Sequence, residues 1–381
     1  MIIENDKSQK TDMTNIHLVL DEKFINNSVD LFEYYYPGKN YFFVNKVLKD
    51  CKFVTPKSNV FFIPFDTPQW LERVREIVKT DLQSINILVH YLTKQSALHA
   101  MELKSISIYN RLYWMFYGAD LYDYLSIRYN YQLYDYKKIG IGEKVVNKLR
   151  IALNRFKYIE DFSAVLDYFC FWNPYDYQLL CSYLKTKASF KNFYYVMNAH
   201  LNLNDSNEQS IGNKILINHS GSWTGNHLTI LQALKKLDLT DKSIVLPLSY
   251  GPREHIEQIE KEVEVLFPGK YEIIKDFLPI QSYYKIIDEC QYAIMGHRRQ
   301  EAGGNLSFLL RSGKKVFLRE DNSLFKFYKD VGYYVYSFEK DLFKEDAFTP
   351  LSSEQRQHNR EVFRKRVQKE NIDNMMLNLF K

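Results

Sequence analysis

The sequence predicts a doubly wound α/β protein built from two Rossmann-like domains facing each other across a cleft, and three observations carry that expectation. Short apolar runs alternate with segments of helical period throughout the second half of the chain. The same alternation recurs, less regularly, in the first half. A polar stretch at residues 202–213 divides the two, and 381 residues suit two domains better than one. Strands that alternate with helices make parallel sheets covered on both faces, which is why such strands read as continuous apolar runs.

Taken in order, residues 16–20, 41–44, 60–63 and 85–89 read as strands, with helical stretches at 23–35 and 68–80. Residues 109–116 form a further expected strand, ending at Gly118-Ala119-Asp120. Beyond the linker, strands are expected at 215–217, 244–250, 271–274, 292–295, 316–318 and 333–336. Helices fall at 226–237, from Pro252 onward with Ile256, Ile259, Val263 and Leu266 at helical spacing, and at 282–289. The domains are accordingly placed at residues 1–205 and 213–350. The polar, basic tail at 351–381 is expected to be helical and to return to the first domain.

Composition narrows the class. A hydrophobic share of 46% with 25% charged residues describes a globular protein, and a net charge of +5 permits an anionic partner without requiring one. Cys51, Cys170, Cys181 and Cys290 are scattered, which argues for a reducing compartment and against a zinc site or disulfide framework. The polar opening at residues 1–14 lacks the apolar core of a signal peptide, and no apolar run is long enough to span a bilayer. A cytoplasmic protein, at most peripheral on the inner membrane, is expected.

Ligands of doubly wound sheets bind outside the carboxyl ends of the strands. The segment Met295-Gly296-His297-Arg298-Arg299-Gln300-Glu301-Ala302-Gly303-Gly304-Asn305-Leu306 stands at such an end and opens a helix. Helix N-termini offer unpaired N–H groups and a positive dipole end, and glycines admit a phosphate close to the backbone. Arg299 and Gln300 with the Gly303-Gly304-Asn305 turn are therefore candidates to hold a nucleoside diphosphate; the plainer reading is a solvated arginine pair. Small residues follow the first strand of this half at Ser220-Gly221-Ser222, before Asn226 and His227, where helix capping is the equal alternative. Pro247, Ser249, Tyr250 and Phe277 follow the next two strands, and Tyr283 lies one turn into a helix; these could cradle a base, although core packing competes for Phe277 and Tyr283. Glu320, Asp321 and Asn322 are placed to meet a ribose hydroxyl or simply to cap a helix.

These segments resemble one family. Asn218-His219-Ser220-Gly221 with Asn226-His227, then residues 245–251, then Arg299-Gln300 with Gly304 and Leu306, then Arg319-Glu320-Asp321-Asn322 follow its pattern in order. Trp114 through Tyr122, including Gly118-Ala119-Asp120-Leu121-Tyr122, matches in the first half. The family is the dTDP-N-acetylfucosamine:lipid II N-acetylfucosaminyltransferases, glycosyltransferase family 56, and the implied architecture is GT-B.

The resemblance implies transfer of a deoxyamino sugar from a dTDP-sugar to a polyprenyl-diphosphate-linked saccharide in cell-envelope polysaccharide assembly. It implies a nucleotide-sugar donor as substrate and a lipid-linked acceptor. No Asp-x-Asp triplet occurs in the sequence, so no metal bridging the diphosphate and no other cofactor is expected. The first domain is then expected to supply a base at a strand end, from Asp120, His90 or Asp21. His90 is as readily a hydrogen-bonded core residue. Basic residues among aromatics at 124–138, and Arg356, Arg360, Arg364, Lys365 and Arg366 in the tail, are candidates for an anionic membrane face. A UDP- or GDP-sugar donor is the near alternative. A nucleotide-sugar epimerase would need no acceptor, and a nucleic-acid-binding protein is disfavoured by the modest charge and the lack of a recognised motif.

Overall fold

The computed structural model describes residues 13–79, 81–136, 141–195 and 212–381. Most of the expected linker, Thr80 at the end of the second expected helix, and Lys137 and Lys138 of the basic-aromatic stretch lie outside the described residues. The chain divides into two compact units. The first comprises Met1–Tyr124, Leu149–Leu203 and Lys369–Lys381; the second comprises Leu125–Lys148 and Asn204–Gln368. The division thus departs from the sequence boundaries, because residues 125–148 and most of the tail group with the second unit.

In the first unit the strands are β1 (Thr14–Val19), β2 (Asn40–Val44), β3 (Val60–Phe62), β4 (Ile85–His90), β5 (Arg111–Met115), β6 (Tyr168–Cys170) and β7 (Ser189–Lys191). They form one sheet in the order β3-β2-β1-β4-β5-β6-β7, parallel throughout. The helices are α1 (Ile25–Tyr35), α2 (Trp70–Val78), α3 (Lys94–Ser105), α4 (Ala119–Tyr129), α5 (Ile141–Ala152), α6 (Lys157–Val165) and α7 (Pro174–Tyr183), of which α4 and α5 run across the boundary between the units. Local chemistry sets several helix starts. Thr93 and Ser96 form a reciprocal capping box at α3, and Asn173 caps α7 ahead of Pro174. Every residue of β4 is buried, as expected for a central parallel strand.

In the second unit the strands are β8 (Lys214–Ile217), β9 (Ser243–Pro247), β10 (Tyr271–Ile274), β11 (Cys290–Met295), β12 (Lys315–Leu318) and β13 (Tyr336–Ser337). The order β10-β9-β8-β11-β12-β13 repeats the pattern of the first sheet, and again all pairs are parallel. Its helices are α8 (His227–Leu234), α9 (Arg253–Leu266), α10 (Ile280–Asp288), α11 (Gly303–Arg311), α12 (Ser323–Val331) and α13 (Ser353–Val367). The expected strand at 333–336 is confined to its last residue and Ser337, because Tyr333 instead closes the end of α12 by donating its N–H to the Tyr328 carbonyl. In both sheets the strand order reverses at the centre, between β1 and β4 and between β8 and β11, which fixes where each unit can hold a ligand.

The tail consists of two helices, not one. α13 starts at a Ser352/Gln355 capping box and lies on the second unit through Asn359 and Phe363. The final helix, α14 (Lys369–Leu377), buries Ile372, Met375 and Met376, with Leu379 and Phe380 beyond it, in the first unit's core beside Phe32 and Tyr113. Each such side chain contributes about 1.5–3 kcal/mol when fully buried. Tyr35 donates to Asp373, and Lys191 Nζ donates to the carbonyls of Asn378 at 3.0 Å and Lys381 at 2.9 Å, so polar contacts fix the same helix.

Candidate functional site

At the centre of the second sheet, two loops are knitted together by backbone contacts that only small residues allow. Asn218, the first residue after β8, takes a left-handed conformation with φ 56°. Its side chain donates to Gly225 O at 2.8 Å and accepts from Gly296 N–H at 2.9 Å. A Cβ on Gly296 would stand 2.2 Å from the Gly225 oxygen, so glycine is required where the loops cross. A second crossing joins the loops after β8 and β9. Gly221 N–H donates to Tyr250 O at 2.8 Å, and a Cβ on Gly251 would meet the Gly221 carbonyl at 2.4 Å.

Asn226 completes the frame. Its side chain accepts from Asp135 N–H at 2.8 Å and donates to Leu133 O at 3.1 Å and Gly296 O at 2.9 Å. Of the residues expected to meet the donor, Asn218, Ser220, Asn226, His227 and Asn322 are buried. Asn218 and Asn226 shape the floor of the site through the protein's own backbone. Asn226 also makes no side-chain cap to α8. Pro247 is likewise buried at the end of β9, with Ser249 half-buried after it.

A charged network lies over this floor. Asp135 was not singled out in the sequence, since nothing local marks it. It accepts from Thr229 Oγ1 at 2.6 Å, from Arg319 Nη1 at 2.8 Å and from Arg298 Nε at 2.9 Å. Burial pushes its carboxyl upward, but these three donors outweigh burial and hold it below the usual range. Arg298 also pairs with Asp321, and Arg319 with Glu339 at 2.5 Å.

Arg299, expected to grip a diphosphate, pairs with Glu301 at 3.0 Å, and Thr224 Oγ1 donates to the same carboxylate oxygen at 2.7 Å. The other oxygen of Glu301 faces Nε2 of His219 and of His297, each at 3.8 Å. Burial again acts upward on Glu301, but His297, Arg299, His219 and Thr224 together bring it down to about 2. Burial holds His297 below its ordinary value, against the upward pull of the Glu301 carboxylate. These three residues are the group, among those described, that could hold a metal ion, their ligand atoms lying within 4.8 Å of one another. Ligands on one zinc stand roughly 3.3 Å apart, so an ion would require the three to draw together.

The start of α11 is built differently. Ala302 takes the left-handed conformation (φ 63°) ahead of it, with no side-chain cap and no acidic residue in the first turn. A Cβ on Gly304 would meet nothing within 4 Å, and one on Gly303 would meet only Gln300 Nε2 at 3.9 Å. The fold alone therefore does not require glycine at either position. What these glycines leave open is space in front of a helix N-terminus, where N–H groups lack intrahelical partners.

Around this opening stand the expected aromatics. Tyr283 lies beside Asn305 and Tyr250, and the Ser220 hydroxyl lies beside the Tyr250 phenol. Phe277 is 76% exposed, so the competing reading, core packing, does not hold for it. After β12, Asn322 caps α12 by accepting from Leu324 N–H at 2.9 Å while donating to His297 O and Arg299 O, each at 2.8 Å. Glu320 is committed to Lys340 at 2.8 Å.

The first unit's expected bases are all engaged. Asp120 accepts from Leu92 N–H at 3.1 Å, Trp114 Nε1 at 2.8 Å and Gly118 N–H at 3.0 Å, and burial pushes its carboxyl up to about 6 against these donors. His90 is buried between His17 Nδ1 at 3.0 Å and the Tyr195 hydroxyl at 2.7 Å, and burial lowers it to about 3. Asp21 accepts from Lys46 Nζ and from the N–H groups of Lys52, Phe53 and Val54. Burial is outweighed there, and the carboxyl sits at about 2.

The neighbouring Glu22 was not singled out in the sequence. It follows β1 at the point where the strand order reverses, and burial raises its carboxyl, countered by Lys23. Tyr117 nearby is held protonated by burial first and by the Glu22 charge in addition. Phe24, Tyr91, Tyr117 and Tyr195 line the same region, with ring centroids of Tyr117 and Tyr195 5.0 Å apart. The signal available in the sequence was its position in the loop after a strand.

A family model described as 4-alpha-L-fucosyltransferase, glycosyl transferase group 56, matches residues 74–361. The chain belongs to this family. It is a glycosyltransferase. Its fold is similar to sucrose-phosphate synthase from Thermosynechococcus elongatus, with a TM-score of 0.61 at 13% identity, covering 97% of this chain and 98% of that one. An α,α-trehalose-phosphate synthase (UDP-forming) from Burkholderia vietnamiensis gives 0.61 at 10% identity, covering 96% and 95%. Anabaena HepE in complex with UDP-glucose gives 0.58 at 10% identity, covering 96% and 98%. At these identities the likeness shows the fold, which is that of the GT-B glycosyltransferases.

Proposed function

We propose that this glycosyltransferase moves a deoxyamino sugar of the N-acetylfucosamine type from a dTDP-sugar to a polyprenyl-diphosphate-linked saccharide. The observation that carries the donor side is the start of α11, where Gly303 and Gly304 leave open space that the protein does not fill. The diphosphate would lie against this helix start, with Asn305 and Gln300 at its edge. Arg299 would exchange its Glu301 partner for phosphate. Tyr250, Tyr283 and the exposed Phe277 would flank the base, and Ser220 would stand beside them. The family match supports the sugar class.

In the reaction, an acceptor hydroxyl oxygen forms a bond to the anomeric carbon as the bond from that carbon to phosphate oxygen breaks. The electron pair leaves with the nucleoside diphosphate, and the hydroxyl proton must be taken up. Charge grows on the leaving diphosphate, so fixed N–H dipoles and a guanidinium favour the transition state over the ground state. For the proton we assign Glu22, because Asp120, His90 and Asp21 already spend their polar atoms on the protein. A carboxylate with a raised pKa at a strand end is suited in type to that transfer. Donor binding is expected to need no metal.

The test is a thermal-shift series with dTDP, UDP, GDP and CDP, with and without Mg²⁺. A ligand that binds only the native state raises the melting temperature by mass action. A shift selective for dTDP and independent of Mg²⁺ is expected. Selectivity for UDP or GDP would overturn the donor assignment, and a shift that needs Mg²⁺ would direct attention to His219, His297 and Glu301.

A further inference from the structure

The helix α5 carries its apolar residues on the wrong side for a helix that merely packs on its own protein. Val145, Leu149 and Leu153 follow one another at four-residue steps, with Val146 beside them, and all four are between 46 and 63% exposed. On a helix of 3.6 residues per turn they occupy one arc of about 100°. Among the residues of α5 whose burial is described, Asn147 and Ile151, on the opposite arc, are the half-buried positions. A surface helix ordinarily turns its apolar arc inward; this one presents it to solvent.

The flanks are basic. Lys148 borders the arc on one side and Arg150 on the other, both exposed, and exposed Arg155 follows the helix. From Val145 to Arg155 the chain has three basic residues and no acidic one. An outward apolar arc between cations matches the boundary of an anionic leaflet, where acyl chains meet headgroups. The tail does not have this character. In α13, Asn359 and Phe363 point inward, and none of its residues is among the large exposed apolar side chains. Arg366 is also drawn onto the protein, lying 5.1 Å from the Phe327 ring centroid. No helix among the described residues is long and apolar enough to cross a membrane.

We infer that α5 is the element by which this glycosyltransferase lies on an anionic lipid surface. The Val145, Val146, Leu149 and Leu153 side chains enter the acyl boundary, and Lys148, Arg150 and Arg155 meet lipid phosphates. The inference deepens the lipid-linked acceptor reading, since a polyprenyl-linked substrate must be met at the bilayer.

The experiment is co-sedimentation of the full chain with phosphatidylcholine vesicles, with and without one-third phosphatidylglycerol, alongside Leu149→Asp and the paired Lys148→Glu/Arg150→Glu variant. The wild type is expected to partition to the anionic vesicles, and both variants to lose at least tenfold in partitioning. Their melting temperatures and dTDP shifts should match the wild type, so that loss of lipid binding is separated from loss of fold or of donor binding. Wild-type protein that stays in the supernatant at low salt would overturn the inference. So would variants that sediment like wild type. Gel filtration provides a further arm: a wild-type dimer converted to monomer by Leu149→Asp would assign the arc to a second copy of the chain and also overturn it. The donor reading would survive any of these results if the dTDP shift persisted.

Discussion

The two sheets of this protein share one strand order, yet the regions at their reversal points have opposite chemistry. In the first unit, aromatic rings gather at the ends of β1 and β4, beside the Asp21–Lys46 pair. His17 and His90 are buried and uncharged, the tyrosines remain protonated, and Glu22 is the carboxylate left available. In the second unit, the ends of β8, β11 and β12 hold Arg298, Arg299 and Arg319 against Asp135, Glu301, Asp321 and Glu339. The same backbone thus carries an aromatic-lined region in one unit and a network of arginine–carboxylate pairs in the other. The fold places the sites; side chains decide what they hold.

The comparison is broken most severely at Glu22. Glu22→Gln is expected to lower the transfer rate by about 10²–10⁴-fold while leaving dTDP affinity and melting temperature unchanged. Equal losses in rate and affinity would remove Glu22 from the proton transfer. Next in size is Asp135→Asn, which leaves Arg298 and Arg319 half-partnered in a largely buried setting. A destabilisation of about 3 kcal/mol is expected, read as a lower denaturant midpoint.

Much of this was legible in the sequence, and the parts that were not have physical reasons. The strand at 271–274 was expected within its observed bounds, and β8, β9, β11 and β12 were each located, because buried parallel strands are unbroken apolar runs. β6 and β7 have three residues each, too few to show a period, and were missed. The arginines and glycines around the start of α11 were marked as one segment, but not their partners. Asp135 lies 163 residues from Arg298, and no local pattern announces such a pairing. For Asp120 the strand-end position was visible, but the Leu92, Trp114 and Gly118 donors to its carboxylate were not.

Smaller effects sharpen the charged side of the comparison. Glu301 lies at about 2 in the folded protein, below its ordinary 4.5. The stability it contributes is therefore complete above about pH 4.5 and is lost as pH falls toward 2. The difference in unfolding free energy between wild type and Glu301→Gln, roughly 3 kcal/mol at neutral pH, should shrink across that window in denaturant titrations. A difference that stayed constant with pH would mean that the carboxylate charge is not what matters. Arg299→Ala is expected to weaken dTDP by about ten- to a hundredfold in calorimetry, the range for one charged hydrogen-bonding partner. Unchanged affinity would leave the diphosphate to the helix start alone.

The most direct measurement is dTDP binding to Gly304→Leu by titration calorimetry, with the melting temperature recorded without ligand. A Cβ at this position meets nothing, and leucine favours a helix over glycine by roughly 1 kcal/mol. The unliganded protein should therefore melt at or slightly above the wild-type temperature, while dTDP binding is lost because the new side chain occupies the space assigned to the diphosphate. Wild-type affinity in a folded Gly304→Leu protein would show that the nucleotide lies elsewhere.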